Sequence, residues 1–317
     1  MEIRPYKPAD CSAVIALWNK CLIMDPINSE NFYKRIIYDV NFDKQKFLLA
    51  CQNGVPIGFI YGVKRIIPDE VSGLEPGRGW IAAMGVSPSH RRKGTGKALL
   101  DSIEASFRED EVKLVDVGTY PNNYICPGID QSAYPDGISF FAANGYEHKG
   151  DCCSMNINLH GYVFPKRYEE KKKALEAKGY VFKQYQPEDA ISLFDFMRRD
   201  FSWWLPIVRE AIISGRGEKT LILAQNCNGT TVGFVMRAMD GTEERFGPFG
   251  VKPSLQGTGL GSVLFNEMMK QMVERRIYYT YFLWTSGRNL EIYTTWGMKV
   301  ARTFNMMGKT LNYQEVT

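Results

Sequence analysis

Apolar and polar positions along the chain fall twice into the same rhythm. YKPADCSAVIALW from Tyr6 and YQPEDAISLFDFM from Tyr185 each begin at a short strand, open a helix with proline and an acid, and then space apolar residues at helical intervals. NGVPIGFIYG (Asn53 to Gly62) and NGTTVGFVMR (Asn228 to Arg237) each turn on a glycine into an alternating or apolar strand. KALLDSIEASFRED and SVLFNEMMKQMVERR are amphipathic helices, followed by the strands VKLVDVGTY and YYTYFLW and then by SFFAANGYE and EIYTTWGMK. Each copy therefore predicts β-α-α-β-β-β-α-β-α-β, an α/β fold with a mixed sheet flanked by helices, because strands outnumber a strict βαβ alternation.

The separation between copies shrinks from 179 residues at Tyr6 and Tyr185 to 152 at Gly145 and Gly297, so the first copy carries extra loop residues. Much of the excess lies in PNNYICPGIDQSAYPD, of which Pro127 to Pro135 is expected either to line an acceptor cleft or to form a buttressing loop. KRYEEKKKALEAK (Lys166 to Lys178) is charged and helix-favouring, and reads as an exposed linker helix. The expected division is 1–164, a linker at 165–178, and 179–317.

The closest internal match joins a strand to a helix. GVSPSHRRKGTGKALL (Gly85 to Leu100) lies over GVKPSLQGTGLGSVLF (Gly250 to Phe265) without gaps, with Arg91 on Gln256. Such a junction suits an anion. The strand stops, successive backbone N–H groups are exposed, and a helix N-terminus presents its unsatisfied donors and positive dipole end to the same point. Gly94 and Gly96, like Gly259 and Gly261, remove side chains that would block close approach. Two other phosphate loops fail on spacing. A nucleotide-hydrolase loop needs glycine where Arg91 stands and Ser or Thr where Ala98 stands. A dinucleotide fingerprint needs glycine where Leu99 and Ser262 stand.

Composition narrows the class without naming it. The 317 residues carry a net charge of +4, which does not call for a polyanionic partner, so no nucleic acid is expected. No run approaches ~18 uninterrupted apolar residues, and the opening MEIRPYKPADCSAV lacks the apolar core of a signal peptide, so no membrane partner is expected. Seven cysteines without a CxxC pair, and three histidines, argue against a metal site and for reduced thiols in a cytoplasmic protein.

The pattern [RQ]-x-x-G-x-G after a V-x-P strand end, present as RRKGTG and QGTGLG, resembles the GNAT superfamily of acyl-CoA-dependent N-acyltransferases, here in tandem over nearly the whole chain. The resemblance implies that the pyrophosphate of acetyl-CoA rests on the loop amides of Arg91, Arg92, Lys93, Gly94, Thr95, Gly96 and Lys97, and of Gln256, Gly257, Thr258, Gly259, Leu260, Gly261 and Ser262. It also implies that the pantetheine arm pairs like an added strand beside Met84, Val86, Phe249 and Val251.

Family members often carry a tyrosine general acid in a phrase resembling [LF]-Y-x-x-x-G-[FM]. The second copy has it at Tyr293, whereas the first has Phe141, which has no proton to give. The C-terminal copy is therefore expected to be catalytic. Glu244 (or Glu243) is the candidate base, and an amide near Gly250 or Val251 the oxyanion donor; the first copy has no acid over Gly79 to Met84. The implied activity is acetyl transfer to a primary amine of a small molecule or peptide. The alternative is a non-catalytic acyl-CoA-binding protein, and a third reading is transfer of long acyl chains or from aminoacyl-tRNA.

Overall fold

The repeated helix start forms by one device used twice. The backbone N–H of Lys7 donates to the Asp10 carboxylate at 2.8 Å, and that of Gln186 donates to Asp189 at 2.9 Å. Each acid is gripped from the strand before it, Asp10 by Arg4 at 2.7 Å and Asp189 by Lys183 at 3.0 Å. A capped, charge-paired first turn fixes where each helix leaves its strand.

In the computed structural model, which describes residues 1–121 and 125–311, the first copy runs β1 (Glu2–Pro5), α1 (Cys11–Cys21), α2 (Ser29–Phe32), β2 (Phe47–Gln52), β3 (Val55–Val63), β4 (Arg78–Val86), α3 (Thr95–Glu109), β5 (Leu114–Val117), β6 (Ile129–Asp130), α4 (Pro135–Ala143) and β7 (Glu147–Asn158). It continues with α5 (Lys166–Glu176), β8 (Val181–Gln184), α6 (Ala190–Asp200), α7 (Leu205–Ile213), α8 (Gly217–Thr220), β9 (Leu221–Gln225), β10 (Thr231–Arg237), β11 (Phe246–Val251), α9 (Leu260–Glu274), β12 (Tyr279–Thr285), α10 (Gly287–Thr295) and β13 (Lys299–Thr310). Apart from the short β6 in the first copy and the short α8 in the second, both copies follow the expected element order, and the mixed sheet with flanking helices is present. Residues 122–124 of the Pro/Gly/Asn-rich segment lie outside the described residues.

The chain divides into two compact units, 1–153 with 302–317, and 154–301. The repeat had suggested 1–164, 165–178 and 179–317, and two features account for the difference. The outer edge of β5 is paired by the end of β13, with Met307 opposite Val117 and Thr310 opposite Leu114. The second half of β7 (154–158) belongs to the other unit, where the N–H of Leu159 donates to the carbonyl of Tyr278 at 2.7 Å. An alternating pattern specifies a strand, not the sheet edge it joins. The expected linker is also otherwise placed: α5 lies on α9, burying Tyr168 and Leu175 and pairing Lys172 with Glu267 at 2.5 Å.

In the first unit β1 to β4 pair antiparallel in the order β1-β2-β3-β4, and β4 runs parallel to β5. Trp18, Phe32, Phe47, Phe59 and Trp80 fill one face, under α1 and α2; Ile81, Leu99, Ile103, Phe107 and Val115 fill the other, under α3. The second unit repeats this with β8-β9-β10-β11, its two faces centred on Phe196 and Phe234 and on Leu264, Phe265 and Met268. Among the described residues no helix is long and apolar enough to cross a membrane. All seven thiols are free.

Candidate acyl-donor site

Two strands that part make the site. β4 and β5 pair only from Arg78 to Ile81, opposite Leu114 to Val117, so Ala82 to Val86 keep β3 on one side and have no β5 partner on the other. Within that stretch Gly62 faces Ile81 and Tyr61 faces Ala83, leaving Ala82 as the extra residue of a bulge. A bulge turns backbone groups out of the ladder and toward a ligand. Beyond Val86 a short turn (Pro88–His90) leads into the glycine loop, where Arg92 takes φ 59° and Gly94 φ 82° before α3 begins at Thr95. The amides of Arg92 to Lys97 have no acceptor among the described residues. Six amides without an acceptor thus lie at the N-terminus of a 15-residue helix, an arrangement able to take an anion.

A cavity of 980 Å³ opens beside this loop. Of the expected residues, Met84, Val86, Arg91, Arg92, Gly94, Gly96 and Lys97 line it. Lys93 instead turns its ammonium to the carbonyl of Ser89 at 2.9 Å, and Thr95 is buried against Gly58. The opposing walls come from the end of α1 (Lys20 to Ile23), which sequence reasoning did not single out, and from Ala133 to Gly137 at the start of α4, which overlaps the Pro/Gly/Asn-rich segment read as lining a cleft or buttressing. Cys21 faces Gly85 so closely that a Cβ there would meet its own Cβ at 2.7 Å. Burial pushes the Cys21 thiol above its ordinary value, while Arg91 and Lys20 pull the other way. Tyr134, on the α4 wall, donates to Asp25 at 2.7 Å and accepts from the Met24 N–H at 3.0 Å. Burial first, and the Asp25 carboxylate second, raise its phenol well above the usual range.

The second loop has the same backbone and different surroundings. Gln256 (φ −64°, ψ 146°) matches Arg91 (φ −67°, ψ 156°), Gly257 (φ 81°) stands where Arg92 does, and Gly259 (φ 100°) caps α9 as Gly94 caps α3. Here, though, the methylene stem of Lys171 from α5 occupies the place a Cβ on Gly259 would take. A Cβ on Gly261 would lie 3.2 Å from the ring of Phe249 and 3.4 Å from that of Trp296. At Gly96 the nearest neighbour is Phe140, at 3.3 Å, beside open cavity. β11 and β12 touch at a single bridge, Arg245 with Tyr281, and the gap between them is packed with rings.

Tyr293 belongs to that packing. Its ring lies 4.7 Å from Phe282, 5.6 Å from Trp296, 6.1 Å from Phe246 and 6.3 Å from Phe249. Its hydroxyl has no hydrogen-bond partner among the described residues, and burial alone raises its pKa. Glu244 holds β12 through its carbonyl, which accepts from Tyr281 N at 3.1 Å and Thr280 Oγ1 at 2.7 Å, while Glu243 pairs with the buried Arg237. Val251 is core, and Gly250 is covered by Phe201, whose ring would meet a Cβ there at 2.5 Å. The expected acid thus lies in a packed aromatic region, Lys171, Phe249 and Trp296 stand against two glycines of the second loop, and a cavity adjoins the first loop. What sequence could have signalled this is the aromatic run of the second copy, with Phe249, Tyr293 and Trp296 where the first has Met84, Phe141 and Asn144.

Residues 13–125 match the model of the Acetyltransferase (GNAT) family. Over those residues the chain is similar to that family. Solved GNAT structures extend the likeness of fold to both copies. The GCN5-related glucosamine N-acetyltransferase region of a fungal multi-domain β-N-acetylglucosaminidase matches 97% of this chain at TM-score 0.80 and 20% identity, and the match spans 38% of that longer chain. A GCN5-related N-acetyltransferase from Sphaerobacter thermophilus matches 99% of this chain and 96% of its own at TM-score 0.69 and 17% identity. A tandem GNAT protein from the clavulanic acid biosynthesis pathway matches 99% of each chain at TM-score 0.63 and 13% identity.

Proposed function

We propose that this protein transfers an acetyl group from acetyl-CoA to a primary amine of a small molecule or peptide, in a ternary complex, and that the first GNAT unit does it. One contrast supports this reading: the first loop adjoins a 980 Å³ cavity, and the second, in the same conformation, is overlaid by Lys171, Phe249 and Trp296. The pyrophosphate of acetyl-CoA would lie on the amides of Arg92 to Lys97, and the pantetheine would run along the free edge of Ala82 to Val86. The neutral amine nitrogen attacks the thioester carbon, the C–N bond forms, the C–S bond breaks, and the proton that the nitrogen sheds passes through solvent to the departing thiolate, so CoA leaves as the free thiol. An amine with a lysine-like pKa must first lose a proton, at a cost of about 4.6 kcal/mol at pH 7. An amide freed by the Ala82 bulge is placed to stabilise the carbonyl oxygen as charge builds on it, an effect worth ~2.7–4 kcal/mol in well-aligned sites. The free thiols support a reducing, cytoplasmic setting.

The lack of an ionisable side chain at Phe141 and over Gly79 to Met84 favours a second reading, acyl-CoA binding without turnover. One experiment separates the two. Calorimetry should find about one acetyl-CoA per chain; Gly96→Val should abolish binding, and Gly261→Val should leave the affinity within about twofold, because the cavity adjoins the first cradle while Lys171, Phe249 and Trp296 crowd the second. An amine panel beginning with amino sugars, suggested by the glucosamine N-acetyltransferase region among the similar structures, is then assayed for free thiol. Thiol release supports transfer, and binding without release across the panel supports the second reading. An absence of binding sinks both.

A further inference from the structure

We infer that Arg302, delivered by the last strand of the chain, is a positioning residue that holds the two walls of the first unit's cavity at a fixed separation. The inference rests on the acyl-donor site proposed above. Arg302 reaches both walls with one guanidinium. Its Nη1 and Nη2 donate to the Asp25 carboxylate at 2.6 and 2.8 Å, three residues beyond Leu22 on the α1 wall. Its Nε donates to Asp130, whose Oδ1 in turn accepts from the amides of Ser132 and Ala133 at 2.9 Å each and so shapes the turn into α4. Tyr134 closes the circuit by donating across to Asp25.

The clamp is itself fixed in place. The guanidinium lies 4.8 Å from the centre of the Phe304 ring, Phe304 pairs with Asp130 in the ladder, and Gln131 N donates to Thr303 O at 3.0 Å. Both carboxylates are nearly buried, with side chains 10% and 4% exposed, so each depends on this one cation. Lysine keeps the charge but lacks the planar fork that spans two carboxylates. None of these polar atoms is free to react, which makes their role one of holding Leu22, Ile23 and Tyr134 against the acetyl-pantetheine arm.

The test uses the full chain with Arg302→Lys and Tyr134→Phe, which removes a single oxygen and keeps the ring. Two probes are titrated, acetyl-CoA and its 3′-phospho-ADP head group alone, and maleimide labelling of Cys21 reports the α1 wall. Loss of one or two hydrogen bonds in the clamp should weaken acetyl-CoA about fivefold and leave the head group within about twofold, since the head group needs only the glycine loop. Cys21 should label several-fold faster in both variants, with Cys152 unchanged. Equal weakening of the two probes, or a wild-type Cys21 rate in both variants, overturns the proposal. If the wild-type protein binds neither probe, the acyl-donor reading falls, and the Cys21 rates still decide the clamp.

Discussion

Lys309 offers a direct measure of what the returning strand contributes. Its ammonium donates to both oxygens of Glu104, at 2.8 and 2.9 Å, and Glu104 sits 3% exposed on the core face of α3. The same carboxylate takes the Tyr146 hydroxyl at 3.1 Å and Arg108 at 3.1 Å. Lys309→Met keeps the methylene stem and removes the charge. Breaking a buried pair costs about 3–5 kcal/mol, and the remaining Arg108, half-buried on the rim, offsets part of it, so the expected loss is about 2–4 kcal/mol. Glu104→Gln in the Lys309→Met background removes the stranded charge and still gives Tyr146 an acceptor, so it should recover at least about half of that loss. Urea titrations followed by hydrogen exchange in the 95–109 peptide read the first unit directly. A coupling below about 0.5 kcal/mol in the double-mutant cycle would refute the argument. So would a loss confined to the 260–274 peptide, because it would place the strand's contribution in the other unit.

Other expectations follow from single sites. Tyr293→Phe should leave stability within about 1 kcal/mol and acetyl-CoA affinity unchanged, whereas Tyr293→Ala should cost about 3–5 kcal/mol by emptying the aromatic cluster; thermal melts and calorimetry check both. Burial alone would lift the Asp130 carboxyl, but Arg302 and the amides of Ala133 and Ser132 outweigh it and hold the group below its usual 3.8. Its stabilising contribution is therefore complete above the unfolded value of about 3.9 and is lost as pH falls through the lower folded value, so Asp130→Asn should lower stability at pH 7 and flatten the acid limb of a stability–pH curve. Burial pushes the Cys152 thiol up to about 12, and Cys227 is exposed, so mass spectrometry after brief alkylation near pH 8 should find Cys227 modified and Cys152 intact.

The local chemistry was more legible in the sequence than its use. Glycine at 94 and 259 and the Val-x-Pro strand ends prescribe the two cradles, because few other residues adopt φ near 80–100° at the entrance of a helix. The Pro-acid starts at Asp10 and Asp189 prescribe the helices the same way. What periodicity does not encode is which of two equivalent gaps stays open. That depends on side chains arriving from elsewhere, as Lys171 does from a helix that reads as a solvated linker. Nor does it encode that β13 ends in the first unit, because Met307 and Thr310 suit any edge that offers a ladder. The α1 wall was missed for a simpler reason. Leu22 and Ile23 look like an ordinary helix end, and a cavity exists only once that end and the start of α4 face the same free strand edge.

Duplication explains why one gap is filled and the other is not. A parted strand pair leaves backbone groups and apolar surface exposed unless a ligand or the unit's own side chains cover them. The second unit does so with Phe249, Tyr293 and Trp296 across the gap and Lys171 over the loop, and each replacement adds apolar contact that a ligand would otherwise supply. The first unit has Met84, Phe141 and Asn144 at the corresponding places, and Met84 and Phe141 line the cavity and leave it open. Its walls are held instead by charge, through Arg302 on Asp25 and Asp130, and that hold reaches it from beyond the second unit in sequence. The second copy thus has a structural use that needs no chemistry of its own: its final strand ends in the first unit, carrying Arg302 and Lys309 with it. A chain cut before residue 302 would lose both cations and the partner of β5, and the first unit would be left with buried carboxylates at Asp25, Asp130 and Glu104 deprived of those partners.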